Sequence, residues 1–369
     1  MGKPAGALWQ IWAGGGLGPL PARRNDRPAM ALLSALVALL AVALVITGGK
    51  PGVQTFATIF LGIFIEAMPF VLIGVLVSGV IGVFVRDETV NRFLPRGRIS
   101  APLVGSLLGM LFPVCECGVV PVTRRLLNKG ASVGLGVSFL LASPVVNPIV
   151  LWSTYAAFGG DWTMVARRAG LTLAISVIVG IIFACHPNAR ALLKPAPEAM
   201  GYTPVVLGEY SRGGNTRMSR LAPHTERDRA TARLPEKLRA VCEHSAIEFF
   251  EMGKFLVFGA LLASLLQALV PRQMLLGIGQ SPVKSVLVMV ALAVLLSVCS
   301  TVDAFLVLTF AGTFTTGALL AFLVFGPMVD IKSTLMFLTV FKRRAVALMI
   351  ILAAQLVLLA TIFINLNFA

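Results

Sequence analysis

The stretch FPVCECGVVPVTRRLLNKG, residues 112–130, sets Cys115 and Cys117 on either side of Glu116 in otherwise apolar sequence. Thiolates favour soft or borderline centres such as Cu(I), zinc and, by the same logic, trivalent arsenic or antimony. A three-coordinate metalloid takes three sulfurs at most, and one that already carries a carbon takes two. A third thiol is available from SVCSTVDAF, where Cys299 follows Cys115 by 184 positions. A lone cysteine in an apolar helix is most often a small filler, and Cys185 and Cys242 fit that reading. A Cys-x-Cys pair around an acid fits it poorly.

The second set of candidates is ionisable or polar: Glu66, Glu116, Glu251, Asp303, Asp330, Lys332 and Asn147 all fall in or beside apolar runs. An unpaired charge at the centre of a membrane helix costs at least about 2.5–3.5 kcal/mol, so each needs a partner or a role. Asp330 and Lys332 can pair with each other or with Asn147. Glu66 and Glu251, with Glu116, Asp303 and Asp330, are candidates for carrying protons or for structural pairing. Asn147, within SPVVNP, and Asp330, within GPMVDIK, stand where broken helices free backbone groups for a substrate or merely kink.

The elements that position these residues are membrane helices. The 369-residue chain is 57% hydrophobic and 13% charged, too apolar for an ordinary soluble domain. Apolar runs near 30–48, 55–85, 101–122, 131–158, 164–185, 246–270, 283–313, 316–341 and 345–366 are long enough for a hydrocarbon core of about 30 Å. The net charge of +15 is loop charge facing anionic lipid, and no motif supports nucleic-acid binding. Five cysteines without a regular framework argue against a disulfide-stapled secreted domain. The chain has no phosphate-binding G-x-x-x-x-G-K-[ST] loop, so transport must draw on an ion gradient or a partner. No cofactor is implied, and His186, His224 and His244 read as residues of the polar loop.

The two halves resemble each other. EAMPFVLIG (66–74) matches EMGKFLVFG (251–259), PVCEC (113–117) matches SVCST (297–301), and ASPVVNP (142–148) matches FGPMVDI (325–331), at offsets of 185, 184 and 183. Such repeats are a common build for secondary transporters. Placing Arg23, Arg24 and Arg27 in the cytoplasm keeps most basic residues inside only if 101–122 and 283–313 dip into the membrane and return. Arg167 and Arg168 then fall outside. The expected fold is an all-α polytopic membrane protein of about seven to nine segments, in two homologous inverted repeats, each with a broken or re-entrant hairpin. A disordered tail (1–28) precedes the first half (29–185), and a polar cytoplasmic linker (186–245) leads to the second half (246–369).

The run PVCECGVVPVTRRLLNKGASVGLGVSFLLASPVVNPIVLW, with GPMVDIKSTLMF in the second half, resembles the bacterial predicted-permease family that includes the ArsP-type organoarsenical efflux permeases. The resemblance implies an inner-membrane exporter of trivalent organoarsenicals or arsenite, with the family's cysteine pair on Cys115 and Cys117. Glu116 departs from the serine of that pattern, and an acid between two thiols suits a divalent cation as well as a neutral arsenical.

Three functions are compatible with these residues. The first is export of a thiol-reactive metalloid by proton exchange through Cys115, Cys117 and Cys299, by a chain that contacts lipid and can form a homo-oligomer. The second keeps the fold but carries another solute, anion or metal cation, with the cysteines incidental. The third is a membrane thiol oxidoreductase, disfavoured because one intervening residue makes a strained disulfide ring.

Overall fold

In a computed structural model of the chain the described residues are 27–85, 92, 94, 95, 97–112, 115–186, 189–194, 234–269 and 282–368, and for most of 27–51 the description is of the backbone. The tail before residue 27, the linker from 195 to 233 with His224, and Pro113, Arg86, Arg96 and Arg272 lie outside them.

The first half comprises α1 (Arg27–Phe84), α2 (Ser100–Leu111), α3 (Glu116–Asn128), α4 (Val133–Val146), α5 (Pro148–Ala157) and α6 (Trp162–Cys185). The second comprises α7 (Leu234–Leu269), α8 (Pro282–Leu296), α9 (Asp303–Leu308), α10 (Thr316–Met328), α11 (Ile331–Val340) and α12 (Arg343–Phe368). The order of a long helix, a half-helix, a break, a short helix, a helix interrupted before Asn147 or Asp330, and a long closing helix occurs twice. Among the described residues six segments are long and apolar enough to cross a membrane: Gly52–Phe84, Val133–Ala157, Trp162–Cys185, Lys237–Ala268, Thr316–Val340 and Arg343–Asn367. The protein is a multi-pass helical membrane protein.

Two boundaries differ from expectation. The runs 30–48 and 55–85 do not separate: α1 is helical through Gly48-Gly49-Lys50-Pro51-Gly52. Proline's fixed φ is itself helical, and the penalty here is the lost N–H and ring crowding rather than an obligatory turn. The helix expected from 246 begins at Leu234, taking in the last part of the polar segment, while residues 189–194 fold back on the second half. There Leu193 forms an antiparallel bridge with Phe341; Lys194 N–H donates to the Val340 carbonyl at 2.9 Å, and Lys342 N–H to that of Leu192 at 2.9 Å.

The run 101–122 is divided between α2 and α3. At about 1.5 Å per residue the 12 residues of α2 span about 18 Å, short of a bilayer core. Close contacts fix its direction. Pro102 meets Gly134, Gly105 meets Ser138 and Gly109 meets Ser143, so α2 and α4 run parallel. Since α2 and α4 begin side by side, the chain between them must return, and α2 and α3 form a hairpin, with Phe112 and Cys115 at its inner end. The second half does the same. Ser285 and Thr315 hydroxyls lie 3.1 Å apart, and Ala293 meets Gly326, so α8 and α10 start together and residues 297–315 run back.

The first hairpin is seated against α1 by small residues. A Cβ on Gly74 would fall 2.4 Å from Gly118 Cα, so the two backbones touch with no side chain between them. Farther along, the Ser78 hydroxyl donates to the Pro121 carbonyl (3.3 Å) and Lys129 Nζ to that of Val85 (2.7 Å). The equivalent long helices α1 and α7 cross antiparallel, with Gly79 against Val241 and Ser245, and the Ser245 hydroxyl on the Val75 carbonyl at 3.1 Å.

Candidate functional site

Both hairpin tips open onto one cavity of about 450 Å³. Cys115, Glu116 and Cys117 come from the first tip; Leu296, Val298, Cys299 and Val302 from the second; Glu66 from α1, Gln267 from α7 and Lys332 from α11 complete the polar wall. Residues far apart in sequence meet because each hairpin ends inside the protein, where its unpaired backbone can be satisfied by protein rather than lipid. Gln267 Nε2 donates to the carbonyl of Leu296, the last residue of α8. Ser297, in the break, takes φ +44°, a left-handed conformation uncommon outside glycine. Its hydroxyl donates to the Val294 carbonyl (2.9 Å) and accepts from Ile331 N–H (3.4 Å).

The three thiols are free and buried. Those of Cys115 and Cys117 lie within hydrogen-bonding reach of each other, and the Thr301 hydroxyl is 3.6 Å from Cys299 Sγ. Among the described residues no three His, Cys, Asp or Glu side chains are arranged to hold a metal ion. The three thiols share one cavity without forming a preassembled cage.

Glu66, Glu116 and Lys332 bring charge to the cavity wall, and Asp330 lies just behind it. Lys332 Nζ lies 3.4 Å from Glu116 Oε1 and 3.4 Å from Asp330 Oδ2, all three residues being buried. Glu116 is the first residue of α3, where the helix N-terminus favours an anion. Glu66 Oε1 accepts from Thr301, 3.1 Å away on the opposite hairpin.

Other sequence candidates lie elsewhere. Asn147 Oδ1 caps α5 by accepting from Ile149 N–H at 3.0 Å. Asp330 caps α11, accepting from Ser333 N–H at 2.6 Å while Ser333 Oγ accepts from Asp330 N–H at 2.9 Å. The matched positions of SPVVNP and GPMVDIK thus restart interrupted helices. Glu251 does not mirror Glu66: it pairs with Arg124 at 2.9 Å, away from the cavity wall. Nearby, Glu248 accepts from the Ser78 hydroxyl at 2.8 Å and lies 3.7 Å from Arg125. Asp303 is likewise absent from the wall and is held by Arg168. Arg168, expected outside the membrane, is completely buried in α6. Cys185 and Cys242 are exposed and so do not fill the core.

Sequence reasoning missed Arg168, Gln267, Thr301 and Glu248. Their only signal was polarity inside an apolar run, and Gln267 and Thr301 carried no charge to mark them.

The family profile described as a predicted permease, ArsP_1, matches residues 53–366, which takes in both hairpins and every wall residue. The chain belongs to the predicted permease family. This permease is 44% identical over 308 residues to UPF0718 protein YcgR of Bacillus subtilis, covering 84% of this chain and 96% of that one. It is 34% identical over 286 residues to a putative two-component membrane permease complex subunit of Streptococcus mutans, covering 78% and 87%. A shorter match, 28% over 156 residues, covers 41% of the permease and 43% of UPF0718 protein YraQ of Escherichia coli. No solved structure matches.

Proposed function

We propose that the protein is an inner-membrane permease that exports a small thiol-reactive solute, a trivalent organoarsenical or arsenite, in exchange for protons. The observation that carries this reading is that Cys115, Cys117 and Cys299 line one cavity together with Glu66, Glu116 and Lys332. Thiols that share a cavity without a closed cage can capture a soft atom and release it again. Each thiol that binds must first give up its proton and each that releases the metalloid must regain one, so the transport cycle is linked to proton movement. Glu66, on α1 and hydrogen-bonded to Thr301 of the second hairpin, is a second acid on the cavity wall through which protons can pass. The N-terminus and the polar linker face the cytoplasm in this reading, which keeps most loop arginines and lysines inside.

The test is uptake into everted vesicles containing the purified protein, with a trivalent methylarsenical, arsenite and a divalent cation as probes, with and without a proton gradient. Gradient-dependent arsenical uptake that disappears in Cys115→Ser/Cys117→Ser is the expected result. Arsenical uptake that survives the double substitution would overturn the thiol site.

A second reading, transport of a metal cation with incidental cysteines, draws on Glu66, Glu116 and Asp330 outnumbering Lys332 at the cavity and beside it. Uptake of the divalent cation, unaffected by the cysteine substitutions, would favour it. The Streptococcus relative is described as one subunit of a two-component complex. A second membrane component is therefore proposed here too, and comparison of purified protein with native membranes tests it.

A further inference from the structure

We propose that Glu116 is the hard half of a two-part binding site, accepting a hydrogen bond from a hydroxyl of the substrate while Cys115 and Cys117 take its soft atom. The cavity then selects trivalent group-15 species that still carry a hydroxyl. This rests on the thiol-binding reading above and adds to it the substrate's second recognition element.

The two oxygens of the Glu116 carboxylate are unequal. Oε1 lies 3.4 Å from Lys332 Nζ, whereas Oε2 is buried with no hydrogen-bond partner. Burying an acceptor without a donor is unfavourable, and a ligand hydroxyl removes that penalty. Lys332 does not cancel the local charge, because it is shared with Asp330 at the same 3.4 Å distance. The other carboxylate on the wall, Glu66, already accepts from Thr301. Asp330 is engaged in capping α11. Glu116 therefore combines a place on the cavity wall, an unused acceptor and two adjacent cysteines.

The same placement gives the carboxylate a part in the exchange. For a substrate X–OH, the step is S–H plus X–OH giving S–X plus water. The S–H and X–O bonds break, the S–X bond and a new O–H bond form, and the oxidation state of X is unchanged. Glu116 accepts the thiol proton and returns it to the departing hydroxide, so the exchange needs no outside reductant. A thiophilic species with no hydroxyl to expel, such as methylmercury held as its chloride in chloride buffer, gains nothing from that relay. It binds with loss of the thiol proton and of chloride to solvent.

The experiment uses the full chain in everted vesicles with methylarsenous acid and methylmercury as the two probes. Methylarsenous acid uptake is measured across pH, and methylmercury binding is read as protection of Cys115 and Cys117 from maleimide. For Glu116→Gln we expect methylarsenous acid uptake to fall about a hundredfold, the scale of a lost proton-transfer group. Its pH profile should flatten, methylmercury protection should be unchanged, and Glu116→Asp should restore part of the uptake. Wild-type uptake and pH profile in Glu116→Gln, with Cys115→Ser/Cys117→Ser inactive, would overturn this inference and leave the thiol site standing. Loss of methylmercury protection in Glu116→Gln would overturn it also, by assigning Glu116 to structure. Wild-type uptake in the cysteine double variant would remove both readings.

Discussion

Arg168 and Asp303 join the two halves of the protein through paired hydrogen bonds, Nη1 to Oδ1 at 3.1 Å and Nη2 to Oδ2 at 2.5 Å. Thr154 Oγ1 accepts from the same Nη1 at 2.7 Å, so α5, α6 and α9 meet at one guanidinium. Both side chains of the pair are buried. A bidentate pair in this setting is held by geometry as well as charge. At the sequence offsets of 183 and 184 the corresponding positions are Ile351 and Val119, both apolar, so those positions do not repeat the pair.

Removing one member of that pair leaves an uncompensated charge. Arg168→Met is therefore expected to destabilise the protein by about 3–5 kcal/mol, whereas Arg168→Leu/Asp303→Leu should recover most of the loss. Thr154→Val should cost about 1.5–3 kcal/mol, as expected for a hydrogen bond to a charged group. Thermal unfolding of the detergent-solubilised protein measures all three. A double variant as unstable as the single one would show that α9 depends on Asp303 for more than its charge.

Much of this architecture could be read from the residues. Apolar run lengths located the membrane segments, and the offset between PVCEC and SVCST pointed to two related tips that indeed line one cavity. The short matched motifs SPVVNP and GPMVDIK marked helix interruptions because proline and a capping Asn or Asp are local signals. Partner choice was not legible, since it depends on how helices cross. Glu66 and Glu251 match in sequence, yet one meets Thr301 and the other Arg124. Arg168 looked like loop charge because nothing adjacent to it announces Asp303, 135 positions away.

The unlike environments of Glu66 and Glu251 predict unlike effects on transport. Arg124 and Glu251 are each slightly exposed, with side chains 14% and 18% accessible, so their coupling should be small, about 0.2–1 kcal/mol. Glu251→Gln should leave uptake as in wild type. Glu66→Gln, on the cavity wall, should reduce it. Uptake into everted vesicles separates them, and the reverse pattern would move the acid that transport needs to α7.

Asp161 gives a pH effect outside the membrane segments. It caps α6 by accepting from Thr163 N–H at 2.8 Å and from the Thr163 hydroxyl. The hydroxyl bond first, and the backbone N–H next, hold its carboxyl below the usual carboxylate range. With the folded value below the unfolded one, the cap contributes fully above the ordinary value of about 3.9 and is lost as pH falls through the lowered value. Hydrogen exchange at the start of α6 should thus quicken relative to intrinsic rates only in strong acid. Asp161→Asn, which caps without charge, should remove that acid-specific change.

Ser297 separates backbone strain from hydrogen bonding at the second tip. Its φ of +44° places a Cβ where L-residues pay roughly 1–2 kcal/mol, and its hydroxyl links Val294 to Ile331. Ser297→Gly loses the hydroxyl but relieves the strain; Ser297→Ala loses the hydroxyl and keeps the strain. The alanine variant should therefore be the less stable, by roughly 1–2 kcal/mol, the cost of a Cβ in the left-handed region. Equal melting temperatures would mean that the break relaxes to a right-handed turn once the Ile331 contact is gone. In that event the hydroxyl, rather than the path of the chain, would be what sets the conformation beside Cys299.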